Sequence, residues 1–512
     1  MTDTDAPVEK DFDSRHSTPS VDPLPRRFSR RLLLGTAGAL VLAGAGYGID
    51  QWVESGGSAN TSTKALTRSY RSRPDFSPAG ITTLVPADGT ATGLVFLDPI
   101  GGPGQFGPMI VDNLGDLVWF RPLKSTKATN LQVQQYQGQP VLAWWEGKIV
   151  SPGYGKGECI LMDTSYREIA RVRAGNGLMV DLHELFITPE GTALFTAYRV
   201  IEADLTSVDG PRRGKLLDAL LQEVDIATGT LLFEWDAHSH VALNESYLPV
   251  PKDGGLYDFF HINSIDVDTD GNLLVSGRHT WTVYKIDRHT GAIMWRLNGK
   301  LSDFTMAPRT QFAYQHHVRH HPGNVLTIFD DGGGATNVDN RSRGLKLALD
   351  MTSMQATFVR EYRPNPEFLT TSQGSVQVLP NGNVFVGWGA QPYWSEYAAD
   401  GRLLFDAQLP KGGDSYRAFR FPWQGQPADR PAIAAERSGQ GRVTAYASWN
   451  GATEVATWEL LARSAGALER VASAPRVSFE TAITTRVQGE YFAVAARDAT
   501  GKLLARSATV PV

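Results

Sequence analysis

The sequence predicts an all-β chain, a β-propeller followed by a C-terminal β-sandwich, on three observations. One turn-and-strand signature recurs along the chain: an Asp or Asn near a turn, a Gly, then an apolar strand that often ends in an aromatic. Hairpins stand in tandem between these repeats, with no helical periodicity separating them. Composition agrees, with 51 glycines for tight turns and aromatics at 10%. Radial repetition buries each such unit against its neighbours and leaves only short edges exposed. A sandwich over the same stretch does not explain the repeated turn.

In chain order, residues 1–25 are polar and are expected as a disordered tail. Residues 26–50 open with Arg26-Arg27-Phe28-Ser29-Arg30-Arg31-Leu32-Leu33-Leu34 and look like a twin-arginine-type export signal. Residues 32–49 carry five glycines, which suits a signal better than a stable span, with membrane anchoring through the same segment as the alternative. Either way the folded body is expected outside the cytoplasm, secreted or anchored to the cell envelope. Residues 51–75, with GGSANTSTK inside them, read as a linker.

The propeller is expected over 76–425. Its turn signature stands at Val111–Trp119, Asp225–Trp235, Asp287–Trp295 and Asp400–Phe405. The hairpins Leu185–Tyr198, Ile265–Gly277, His320–Phe329 and Val376–Trp388 fall between. After Phe421-Pro422-Trp423 the composition shifts to GQGQPADRP. Over 426–512, short alternating strands with a Trp, a Tyr-x-x-Val and a late Asp-x-x-Gly turn resemble a fibronectin- or immunoglobulin-like sandwich.

The stretch Tyr257–Ile286, YDFFHINSIDVDTDGNLLVSGRHTWTVYKI, places His261, Asn263 and Arg278 around one strand-turn-strand. A hairpin brings the far ends of its strands together, so these three are expected as neighbours. An imidazole, an amide and a guanidinium converging on one point make a site for an oxyanion. Asp181-Leu182-His183-Glu184-Leu185-Phe186 and Phe312-Ala313-Tyr314-Gln315-His316-His317 likewise carry a histidine at a strand entry, upstream of a turn. Equivalent positions in the units of a ring point at a common axis.

These three segments resemble the bacterial arylsulfotransferases that do not use the nucleotide sulfate donor, over roughly Gly93 to Trp423. The resemblance implies a six-bladed propeller, His316 as the catalytic histidine, and His183, His261, Asn263 and Arg278 as sulfuryl-binding residues. It also implies transfer of a sulfuryl group from an aryl sulfate donor to a phenolic acceptor through a sulfohistidine, with no cofactor. The family's better-known branch carries its small sandwich before the propeller, and a non-histidine where this chain has His317. Strand alternation lets only one of His316 and His317 face the axis.

A neutral imidazole suits the nucleophile, because it attacks near pH 7 and leaves again readily. Arg278 can hold two sulfuryl oxygens with a planar fork. His183 and His261 can donate hydrogen bonds or serve as acid and base. Trp144, Trp145, Trp281, Tyr314, Trp388, Tyr393 and Trp394 are candidates for an aromatic wall. His320 and His321 read as surface residues beside a turn, and His279 as structural, on the strand face opposite Arg278.

Metal catalysis is not expected, since no HExxH-like spacing exists and an arginine at the centre repels a cation. A formal net charge of −5 gives no basic field for nucleic acid. Cys159 stands alone and reads as a small buried hydrophobe, so neither a disulfide nor a cysteine zinc site can form. The competing readings are a noncatalytic propeller that binds an anion or a protein, an aryl sulfate hydrolase, and a quinone-cofactor dehydrogenase. Oligomeric state is not legible.

Overall fold

The computed structural model describes residues 66–439 and 441–512, which are almost entirely antiparallel β-structure. The expected tail and export segment lie outside the described residues. Among the described residues no helix is long and apolar enough to cross a membrane.

Strands follow the turns predicted for them. Asp268 and Asn272 close the hairpin between Ile262–Val267 and Leu273–Gly277, with Gly271 at φ +83° taking the left-handed position of the turn. Asp287 caps its own turn by accepting from the amides of His289 and Thr290. Asp225 accepts from Thr228 in the same way.

Four-stranded units succeed one another along the chain. Lys127–Tyr136, Gln139–Val150, Tyr154–Met162 and Glu168–Val172 form one. Val180–Ile187, Thr192–Ala203, Gly214–Asp225 and Leu231–Asp236 form the next, joined to the first only at the pair Gly157–Val180. Ile262–Val267 to Ile293–Leu297 is the third. The fourth runs from His316–His321 to Gln355–Tyr362, with Thr305–Met306 parallel on its edge. The fifth runs from Ser375–Val378 to Leu403–Gln408 and takes Thr82–Val85 at its edge. In the last unit Ser415–Phe421 pairs with the early strand Leu94–Pro99, beyond which follow Met109–Val111 and Leu117–Phe120.

The first strands of these units lie side by side in cyclic order. Lys127–Tyr136 neighbours Val180–Ile187, then come Ile262–Val267, His316–His321, Ser375–Val378 and Ser415–Phe421, and the last again neighbours the first. An apolar cluster fills each space between successive units. Alternation decides which space a side chain enters: Trp144 packs with Phe96 and Trp119, while Trp145 packs with Cys159, Val180 and Leu185. Burial on both faces explains why runs such as Val141–Trp145 are continuously apolar. Cys159 is free and fully buried, as expected.

The strands past Trp423 pair only with one another: Ala432–Ser438, Arg442–Ser448 and Glu480–Arg486 in one sheet, and Glu469–Pro475, Thr457–Arg463, Tyr491–Arg497 and Leu503–Arg506 in the other. Residues 66–75 are held against this region, with Ser72 bonded to Ser448 and Glu480.

Candidate active site

His183, His261, Arg278 and His316 come together at one end of the first strands. His316 opens its strand, His261 immediately precedes Ile262–Val267, and His183 lies inside Val180–Ile187. Arg278 follows Gly277, the end of the second strand of its hairpin. Because the hairpin is antiparallel, that end meets the start of the first strand, and the Arg278 amide donates to the His261 carbonyl at 3.0 Å. The His183 and His261 rings are 4.8 Å apart between centroids.

Each of the three histidines rests its Nδ1 on a buried carboxylate. His183 meets Asp181 at 2.5 Å, His261 meets Asp258 at 2.5 Å, and His316 meets Asp331 at 2.6 Å. Asp181 is fixed further by the amides of Gly155 and His183 and by the Thr196 hydroxyl. Asp181 and Asp258 were not singled out from sequence, where the one signal was their spacing from a histidine, two residues and three. Phe329-Asp330-Asp331-Gly332 falls at a corresponding place in a later unit and was expected to line the channel, and Asp331 meets His316 there.

The proton on His316 can be placed. The Gln373 amide donates to His316 Nε2 at 3.2 Å, so Nε2 carries the lone pair and the neutral ring keeps its proton on Nδ1, facing Asp331. Burial, then the charge of Arg278, drives the His316 pKa well below the ordinary imidazole value. Burial likewise pushes Asp331 well above the carboxylate range, so the pair is neutral as a unit. His261 is also held neutral, by burial and then by the charges of His183 and Arg278. Asp181 differs: burial works to raise it, but His183 and the hydrogen bonds outweigh that and hold it below its ordinary value.

Arg278 is buried, with one nitrogen on the Thr371 carbonyl at 2.7 Å and another on His279 Nε2 at 2.8 Å. This corrects the expectation that His279 faces away from Arg278. The strand ends at Gly277, so alternation does not extend to residues 278 and 279. His279 donates Nδ1–H to the Asp258 carbonyl at 2.6 Å and so buttresses both Arg278 and the His261 pair. Asp258, His261 and His279 are close enough to bracket a cation. With a carbonyl acceptor on one His279 nitrogen and a guanidinium on the other, the group is a poor metal site.

Asn263 is fully buried and donates its amide to the Gln315 carbonyl at 2.7 Å, next to His316. It thereby tethers the strand that opens at His316. His317 does not compete for the axis. A register shift between His316 and Arg319 and a φ of +47° at His317 mark a bulge, and its Nδ1 accepts from the Val376 amide. His261, Tyr314 and Gln373 also have positive φ, which concentrates backbone strain at the site. His320 and His321 are half-buried, against Asp268 and Thr327, because their strand stays paired through to His321 opposite Val325.

Of the aromatic candidates, Trp144, Trp145, Trp388 and Trp394 are core residues. Tyr314 and Trp281 lie beside the site: Arg278 sits 5.0 Å from the Tyr314 ring, Trp281 packs edge-on to Tyr314, and Tyr247 stacks on Trp281. Tyr393 stacks on Phe368.

Beneath the histidines lies an ionic layer that sequence reasoning missed. Glu184, next to His183, accepts from Arg319 at 2.7 Å and from Arg417 at 2.9 and 3.1 Å. Arg417 also donates to Asn130 and to the Asn263 carbonyl. These bonds join five of the six first strands. A cavity of about 1140 Å³ lies away from the histidines, lined by Asp112, Gln134, Trp423, Arg476 and Phe479 among others.

Residues 132–409 match the family model described as Arylsulfotransferase (ASST). No curated protein matches the chain. Among solved structures, a Bacteroides caccae protein of unknown function is 15% identical, with a TM-score of 0.40, over 64% of this chain and 99% of that one. A virginiamycin B lyase from Staphylococcus aureus is 9% identical, with a TM-score of 0.33, over 72% and 96%. A Pseudomonas aeruginosa periplasmic gluconolactonase is 14% identical, with a TM-score of 0.27, over 75% and 97%. At such scores these likenesses carry no argument.

Proposed function

Because the chain belongs to the arylsulfotransferase family, we propose that it moves a sulfuryl group from an aryl sulfate ester to a phenolic acceptor through a sulfohistidine at His316. The observation that carries this reading is the tautomer of His316. Its Nε2 carries the lone pair, accepting from the Gln373 amide, while Asp331 takes Nδ1–H, the tautomer a nitrogen nucleophile needs.

In the first half-reaction Nε2 bonds to sulfur as the S–O(aryl) bond breaks, and the electron pair leaves on the phenol oxygen. The imidazole gains positive charge while its Nδ1–H stays bonded to the Asp331 carboxyl. Arg278 is placed to hold sulfuryl oxygens, and His183, facing anionic Asp181, supplies the departing phenolate with its proton. In the second half the acceptor phenol returns a proton to His183, attacks sulfur, and the N–S pair goes back to Nε2. Trp281 and Tyr314 offer the nearest flat surface for either aryl group.

The six units are read as the blades of one propeller over 76–425, and 426–512 as a separate sandwich, on the cyclic neighbours and on the self-contained pairing of the tail. The segment 26–50 is proposed as a twin-arginine-type signal that exports the protein. Arg30→Lys with Arg31→Lys should then trap it in the cytoplasm, and unchanged export would refute that assignment.

Purified protein mixed with a chromogenic aryl sulfate should turn over only when an acceptor phenol is present. Donor alone should release a single equivalent of phenol and leave sulfated His316, read by mass spectrometry of the peptide. Continued release without acceptor would make the protein a hydrolase, and no release would make it a binding propeller.

A further inference from the structure

Tyr416 is the second residue of Ser415–Phe421, the strand that pairs with Leu94–Pro99. It is only 3% exposed. Its ring stands nearly perpendicular to the His183 and His316 rings, with centroids 5.6 and 6.3 Å away. It therefore fills the gap between the proposed proton carrier and the proposed nucleophile. Its hydroxyl has no hydrogen-bond partner among the described residues. Tyr198, by contrast, is also buried beside His183 and gives its hydroxyl to the Ile262 carbonyl.

A phenylalanine would pack this space as well, without stranding a buried donor. The hydroxyl therefore points to a ligand. Burial raises the Tyr416 pKa, and the neighbouring charges of Glu184 and Asp181 raise it further against the opposing effect of Arg417. The group keeps its proton and acts as a donor, matched to an anionic oxygen.

We propose that Tyr416 is a catalytic residue whose hydroxyl donates a hydrogen bond to a sulfuryl oxygen as the group passes between the aryl oxygen and His316. The assignment rests on the transferase reading above. The Tyr416 O–H bond stays intact throughout, and sulfur is neither oxidised nor reduced. A fixed donor of this kind acts as one element of an oxyanion hole.

The test is Tyr416→Phe, which keeps the ring and removes the hydroxyl. Turnover with an aryl sulfate and a phenol should fall on the order of 100-fold, as when one oxyanion-hole donor is removed. The thermal midpoint should stay unchanged. Affinity for inorganic sulfate, measured by calorimetry on the folded protein, should fall more than about fivefold, the size of one ordinary hydrogen bond. Turnover within about fivefold of wild type would overturn the proposal. If the wild-type protein releases no phenol, the transferase reading fails by itself and sulfate binding alone decides. A loss greater than about fivefold then upholds the Tyr416 donor, and a smaller one overturns it.

Discussion

Two layers of polar residues meet at the axis, built from adjacent positions on two strands and from His316 and Arg319, three apart, on a third. His183, Tyr416 and His316 form one layer, and Glu184, Arg417 and Arg319 form the other. Their bonding runs in different directions. Glu184, Arg319 and Arg417 find partners on strands from other units, so each contact fastens one unit to another. The histidines draw their carboxylates from within their own unit: Asp181 from the same strand, Asp258 from the same loop, Asp331 from the neighbouring strand of the same sheet. The difference teaches a division of labour. The ionic layer holds the ring, and the histidine layer can change without unfastening it.

Breaking the nucleophile should show this most sharply. His316→Ala should abolish transfer and sulfated-peptide formation, while the circular dichroism spectrum and unfolding midpoint remain near wild type. Residual turnover at wild-type level would remove His316 from the mechanism, and an inactive His317→Ala would move the role by one residue.

Next is Asp331→Asn. An amide donor facing Nδ1 inverts the tautomer, so turnover should drop roughly 10³- to 10⁴-fold, as expected when a carboxylate that orients a catalytic imidazole is lost. Wild-type turnover in this variant would reduce Asp331 to packing.

The ionic layer should respond in stability and not in chemistry. Glu184→Gln leaves the Arg417 guanidinium buried without its counter-ion and should cost about 3–5 kcal/mol in denaturant unfolding. Turnover per folded molecule should stay within a few-fold of wild type. A stable but inactive variant would erase the distinction between the layers.

Arg278→Lys keeps the charge but loses the fork, and turnover should fall by about 100-fold. Smallest of all is the effect of mild acid. Because burial and Arg278 lower the His316 pKa, protonation, and with it loss of the nucleophile, is displaced to more acidic pH. The transfer rate should therefore stay level as pH drops through about 6.5, where an ordinary imidazole protonates. An inflection there would place His316 in a wetter setting.

Much of this was legible in the sequence. Turns such as Asp268–Asn272 and Asp287–Gly291 announce their hairpins because Asp caps its own turn and Gly takes the left-handed position. His183, His261, Arg278 and His316 could be gathered because each was read at a strand end; that holds for His261, Arg278 and His316, while His183 lies inside Val180–Ile187. Their supports could not. Tyr416 looks like any strand aromatic, and Glu184 and Arg417 like solvent-facing charges, since local pattern does not say which strands share an axis. His279 was misplaced because the end of a strand, where alternation stops, is not written in its residues.

Ring closure also sets an order in time. Tyr416 and Arg417 ride on the strand that pairs with Leu94–Pro99, more than 300 residues earlier. A chain emerging from the ribosome can build five units, with all three histidine–carboxylate pairs, and still lack the tyrosine and the guanidinium at the centre. Both arrive only when the last strand docks, so the completed site certifies a completed fold.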